Sequence, residues 1–271
     1  MYQKQKDLQL QYEGFLQTPF LWYGKGVFGL QQFVPTTNQT TSFAKEITQK
    51  LRLGKLVERF VSFELEQDDS ISILAENIQI QQEKITLGEL DCILQQNENY
   101  IHLEIIYKFY LYDASVGNSE IEHWIGPNRR DSLIQKVTKL KEKQLPLLYS
   151  SETKKYLEKV NLSTDNIQQQ VYFKAQLFVP LKDIKKDFPD INNECIYGFY
   201  VHKDELKQFS DCKFYIPNKH NWLVNPHSNV NWLNFDTFQI NLQQFLEEES
   251  SPLCWLKKTN GELLKFFVVW W

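Results

Sequence analysis

The chain of 271 residues sets 30 Lys and Arg against 34 Asp and Glu, a formal charge of −4, with 42% hydrophobic and 14% aromatic residues. That length carries one large domain or two small ones, and its supply of large apolar side chains excludes collagen, coiled coil and wholesale disorder. A net negative chain does not bind a polyanion by bulk charge, so a nucleic-acid partner must meet a local basic surface.

The first sixteen residues are dotted with Gln and Lys and hold no apolar run suited to a signal peptide. The longest apolar runs, such as residues 266–271, fall far short of the ~18 residues that cross a bilayer. Cys92, Cys195, Cys212 and Cys254 are scattered, without a C-x-x-C pair. Each reads as a small buried hydrophobe in a reducing, cytoplasmic protein.

After aromatic anchors at Phe15, Phe20, Trp22 and Tyr23, the spacing of Phe43, Ile47, Leu51, Leu56, Phe60 and Phe63 predicts a helix over residues 41–66, with Ser42 as its N-cap. The period then falls to two. Ile71, Ile73, Ile78 and Ile80 mark one strand. Residues 85–94 and 100–113 form a hairpin across the loop 95–99. A second helix is expected over residues 128–145, introduced by Gly126-Pro127 and ended by Pro146. A short helix over 151–160 and strands over 171–179, 196–201, 213–216, 253–257 and 266–270 complete the pattern. Asn260-Gly261 marks a hairpin between the last two strands. The division expected is residues 1–150 as an α/β core with an amino-terminal extension, and residues 151–271 as an aromatic-rich part. Trp222, Trp232, Trp255, Trp270 and Trp271 crowd the end of the chain; such rings fill cores, form dimer faces or stack on bases.

The hairpin holds the informative constellation. Asp91 lies on one strand, and Glu104 and Lys108 lie on its partner. Alternation puts Glu104, Ile106 and Lys108 on one side, and the loop permits Asp91 and Glu104 to meet across the ladder. Two carboxylates in a β core are costly unless a cation joins them, and oxygen ligands of this kind suit Mg²⁺ or Mn²⁺. Glu58 on the first helix is a third candidate acid. The alternative is an ordinary solvated acidic face with a cross-strand ion pair. The apolar surroundings of Glu104 (Ile101, Leu103, Ile105, Phe109) argue for a buried strand. Arg129, Arg130 and Lys136 open a basic flank, which contacts phosphate or is merely solvated. Asp131 suits a helix first turn, and Gln144 is a candidate to face the cleft. His102 reads as a packed or hydrogen-bonded side chain, and His220 and His227 as surface residues flanking Trp222.

The strings Gly54-Lys-Leu-Val-Glu58-Arg-Phe60, Leu74-Ala-Glu-Asn77, Thr86-Leu-Gly-Glu-Leu-Asp91, His102-Leu-Glu104-Ile-Ile-Tyr-Lys108-Phe-Tyr-Leu111 and Gly126-Pro-Asn-Arg-Arg-Asp131-Ser-Leu133 resemble the bacterial domain of unknown function 1853 (DUF1853) family. The likeness spans roughly residues 50–150 and is looser beyond. It implies a restriction-endonuclease-like core of the PD-(D/E)XK nuclease-like superfamily, with a mixed β-sheet flanked by helices and an aromatic-rich β-containing carboxyl-terminal part. It further implies a metal-dependent nuclease acting on DNA or RNA. In that frame Asp91 and Glu104 hold Mg²⁺ or Mn²⁺ with the main-chain carbonyl of Ile105, Glu58 assists, and Lys108 is the catalytic lysine. Superfamily members usually place that lysine two residues after the acid. Here Ile106 stands there, and Lys108 is four residues on, about 13 Å along a strand. The competing expectation is a non-catalytic nucleic-acid- or protein-binding module on a degenerate nuclease fold. No membrane partner is expected, and the oligomeric state is open, a homodimer included.

Overall fold

The computed structural model describes residues 2–36, 42–159 and 161–271. Along the chain run α1 (Tyr2–Gln17), α2 (Leu53–Leu65), β1 (Ile71–Gln82), β2 (Ile85–Gln96), β3 (Asn99–Tyr112) and β4 (Trp124–Ile125). They are followed by α3 (Leu133–Lys139), α4 (Ser151–Lys159), β5 (Ile167–Pro180), β6 (Ile196–His202), β7 (Lys213–Tyr215), α5 (Phe235–Glu247), β8 (Leu253–Lys257) and β9 (Leu263–Val269). The architecture is α/β, with mixed β-sheet and flanking helices. Contacts divide the chain into two units, each discontinuous in sequence. The acid-bearing unit comprises Phe20–Tyr107 and Gln135–Lys174; the second comprises Met1–Pro19, Lys108–Ile134 and Ala175–Trp271.

In the acid-bearing unit the strands neighbour in the order β1-β2-β3-β5, with β1/β2 and β2/β3 antiparallel. β3 is buried on both faces because apolar side chains occupy nearly every position. The hairpin turn is tighter than the sequence suggests. Gln96 pairs with Asn99, leaving two residues in the turn, and Asn97 adopts a left-handed φ of 54° that asparagine tolerates.

The first helix is the main departure from expectation. α2 begins at Leu53, and residues 42–52 form no helix; the predicted first residue, Thr41, lies outside the described residues. Phe43 docks instead on α2, with its ring centroid 5.0 Å from Phe60 and 4.9 Å from Phe63. Its apolar periodicity reflects what it covers and not a helical path. The second predicted helix is composite. α3 spans Leu133–Lys139, a π-helical turn continues over Leu140–Gln144, and a 3₁₀ segment carries the path through Pro146 to Tyr149. Proline is tolerated there because an initial-turn position needs no amide donor. Asp131 therefore precedes the helix. α4 matches the predicted short helix through Lys159, and Val160 lies outside the described residues.

In the second unit the order is β3-β5-β6-β9-β8-β7, with β4 paired to β3. The pairs β5/β6 and β6/β9 are parallel, while β7/β8 and β8/β9 are antiparallel. β8 and β9 form the predicted hairpin, Gly261 supplying a φ of 88°. Two helices here are not evident from the sequence pattern. α1 buries Leu8, Tyr12 and Phe15, a helical spacing diluted by glutamines. α5 is capped by Asn234, whose side chain accepts from the Thr237 amide, and it stacks Phe238 on Phe214 at 4.2 Å. Trp222 and Trp255 are core residues. All four cysteines are free and buried. Among the described residues no helix is long and apolar enough to cross a membrane.

Candidate functional site

The β2/β3 ladder ends at the pair Cys92↔Leu103. One step beyond it, the Asp91 side chain takes the place of a strand partner: its Oδ2 accepts the Ile105 amide hydrogen at 2.9 Å. Glu104, the neighbouring residue, is fully buried. Its two oxygens have separate partners. Oε1 lies 3.1 Å from His102 Nε2, and Oε2 accepts from Gln144 Nε2 at 2.5 Å. His102 Nδ1 faces the Gln169 amide nitrogen at 3.3 Å. An amide NH₂ only donates, so Nδ1 accepts and the ring hydrogen sits on Nε2, directed at Glu104. Lys136 Nζ donates to Gln144 Oε1 at 2.8 Å, fixing the amide so that its NH₂ faces the acid. Burial is the main force pushing the Asp91 carboxyl up to about 7, and the charge of Glu104 adds to it. The Ile105 amide and Lys136 oppose the rise without cancelling it.

Glu58 projects from α2 into a separate cluster. Lys55 Nζ donates to Glu58 at 2.8 Å, to Asn77 Oδ1 at 2.8 Å, and to Glu89. Burial raises the Glu58 carboxyl, and Lys55 only partly offsets this. Burial disfavours the Lys55 charge, yet the hydrogen bonds to Glu58 and Glu89 outweigh it and raise that pKa. Asn77 holds a φ of 53° between the pairs Glu76↔Cys92 and Ile78↔Leu90. Glu58 also raises Asp91 electrostatically, which ties the two clusters together.

The remaining predicted residues are engaged elsewhere or exposed. Lys108 Nζ donates to Asp131 Oδ2 at 2.6 Å. Arg129 binds Asp113 at 2.8 Å and lies 4.4 Å over the Trp271 ring. Arg130 is exposed. Sequence reasoning misses Lys55 and Gln169. For Lys55 a signal exists, since Lys55 and Glu58 are three apart on an amphipathic helix. For Gln169 none exists, because only folding brings it to His102.

The family model described as Domain of unknown function (DUF1853) matches residues 30–269. No curated protein and no solved structure gives a match. The family match takes in nearly the whole chain, including the acid-bearing strands and the terminal β-hairpin, so the chain belongs to the DUF1853 family.

Proposed function

We propose that the acid-bearing unit is a divalent-cation-dependent phosphodiesterase core of the PD-(D/E)XK nuclease-like type, acting on DNA or RNA. The observation that carries this reading is the Asp91 and Glu104 pair. Glu104 is fully buried and Asp91 half-buried on neighbouring strands, and among the described residues no ammonium or guanidinium bonds to either. Leaving such charges uncompensated costs several kcal/mol, roughly, which a proton or a cation relieves.

The donor set fits Mg²⁺ or Mn²⁺. Magnesium commonly binds one or two carboxylates and keeps waters and substrate phosphates as its other ligands. This matters because, among the described residues, no group of three or more His, Cys, Asp or Glu side chains is arranged to hold a metal. Each Glu104 oxygen retains a lone pair beyond its hydrogen bond, and the Ile105 carbonyl is the candidate main-chain ligand. A bound ion would supply Lewis-acid polarisation of a phosphoryl oxygen. The chain's own groups do the positioning. Gln144 and the His102 imidazole fix Glu104, the Ile105 amide fixes Asp91, and Lys136 adds a positive field at Asp91. Glu58 adds a like charge that raises Asp91, a negative field that favours a cation at the pair. Lys108, the candidate catalytic lysine, is engaged by Asp131.

The test is incubation with Mg²⁺ or Mn²⁺ and single- or double-stranded DNA and RNA. Cleavage should fall at least about a hundredfold in Asp91→Ala; identical behaviour of wild type and variant on every substrate ends the claim. The engagement of Lys108 by Asp131 favours a second reading, a non-catalytic nucleic-acid- or protein-binding module on a degenerate core. Calorimetry separates the two. Mn²⁺ binding that is abolished in Glu104→Gln supports the enzyme, and no Mn²⁺ binding to wild type supports the module.

A further inference from the structure

The second unit contains a cavity of about 460 Å³, within the usual range for small-ligand sites. Its wall is drawn from α1, from the 3₁₀ turn Lys219–Trp222, from the loop before α5, and from β7 and β8. Trp255 is the buried hub, 1% exposed. Its ring meets Tyr215 at 5.1 Å and His227 at 5.2 Å. Tyr215 and His227 are themselves half-buried and line the cavity.

Asparagine amides dominate the polar wall. Asn218 Oδ1 already accepts from the His220 and Asn221 amides, and Asn221 Oδ1 accepts from Gln11 Nε2 at 2.7 Å. The Asn218 oxygen thus has both lone pairs engaged and the Asn221 oxygen one, while each side chain also carries two N–H donors. Asn229 and Asn231 are exposed in the same wall, each carrying one acceptor oxygen and two donor hydrogens. The lining charges cancel: Lys6 is positive and Asp7 negative. Burial, with Lys6 beside it, holds the His227 pKa below its ordinary value, Asp7 only partly opposing this. The imidazole is therefore neutral at pH 7.

We propose that this cavity binds a nucleobase. A base is a flat, uncharged ring whose edge carries alternating donors and acceptors, the pattern that side-chain amides read. Its faces suit aromatic walls such as Tyr215 and His227. A cavity without net charge offers little to a phosphate or carboxylate, because Asp7 stands beside the single ammonium. The base can come from a free nucleoside or from a single strand. None of this depends on the acid pair, and the two ideas fail separately when binding is measured without divalent ions.

The experiment is calorimetric titration of the full chain in EDTA with adenosine, guanosine, cytidine and uridine, with short homopolymeric DNA and RNA strands, and with ribose and methyl glucoside as controls. At least one nucleoside or strand should bind, with one base per cavity, and the sugars should not. Asn231→Ala and His227→Gln should each weaken binding about fivefold or more at unchanged thermal midpoint, while Asn241→Ala on α5 leaves it alone. Nucleoside binding identifies a free ligand; binding of strands alone identifies a base held within a chain. The proposal is overturned if no nucleoside or strand binds, if both cavity variants bind like wild type, or if the sugars bind as well as the nucleosides.

Discussion

At Asp91 five influences meet on one carboxyl group: burial and the like charges of Glu104 and Glu58 disfavour the anion, and the Ile105 amide and Lys136 favour it. Burial and Glu104 prevail, so the folded-state pKa lies above the unfolded one. The native state then binds the proton more tightly, and the stability this confers is complete below about pH 4 and lost as pH rises to about 7. Asp91→Asn removes the titration and leaves an oxygen for the Ile105 amide. The variant should therefore be more stable than the metal-free wild type at pH 8, by at least about 1 kcal/mol, with the gap closing at pH 5. Urea unfolding in EDTA measures both. A variant less stable at pH 8 than at pH 5, relative to wild type, contradicts the desolvation argument. A buried cation is managed differently in the second unit. Burial holds the Lys265 ammonium well below its ordinary pKa, and the amine donates to Gln176 Oε1 and the Trp222 carbonyl, both at 2.9 Å.

The elements place these side chains by departing from regularity. The π-helical turn over Leu140–Gln144 closes with the Leu145 amide donating to the Leu140 carbonyl, and its extra residue rotates the later part of the helical path. Gln144, the last residue of that turn, is the one that reaches Glu104. On β2 the irregularity is the end of the ladder, where a side-chain oxygen replaces a carbonyl as the partner of Ile105. Elsewhere close packing outweighs propensity. Gly14 sits inside α1, where alanine ordinarily gains about 1 kcal/mol. A Cβ there would stand 2.1 Å from the Leu223 carbonyl oxygen. Gly14→Ala should instead destabilise, by about 1–3 kcal/mol, seen as a lower thermal midpoint. A raised midpoint would mean that the Leu223 backbone moves away at little cost.

For the whole molecule, net charge is a weaker guide than its placement. The formal −4 includes Asp91 and Glu104, whose charge a divalent ion would cancel. Lys139, Lys141 and Lys143 are exposed on the helical path that carries Gln144. If this segment meets phosphates, reversing all three to Glu should lower the salt slope of single-strand binding by about 2. Fluorescence anisotropy across a range of NaCl concentrations reads that slope, and an unchanged value assigns these lysines to solvent alone.

Read alone, the sequence reveals every strand but the two-residue β4, the β2/β3 and β8/β9 hairpins, the buried character of β3 and the family, because alternation, turn residues and motif strings are local properties. It pointed to Asp91 and Glu104 for the same reason: they lie thirteen residues apart on one hairpin. It misjudged residues 42–52, where an apolar stripe marks docking on α2, and it passed over α1 and α5. The company each acid keeps emerges only once the chain is folded. Gln144 reaches Glu104 from forty residues away, Gln169 orients His102 across sixty-seven, and Lys108 is held by Asp131. Lys55 draws Glu58 and Glu89 into one cluster. These pairings set burial, charge and proton affinity at the site, and they depend on distances in space that no local pattern in the chain encodes.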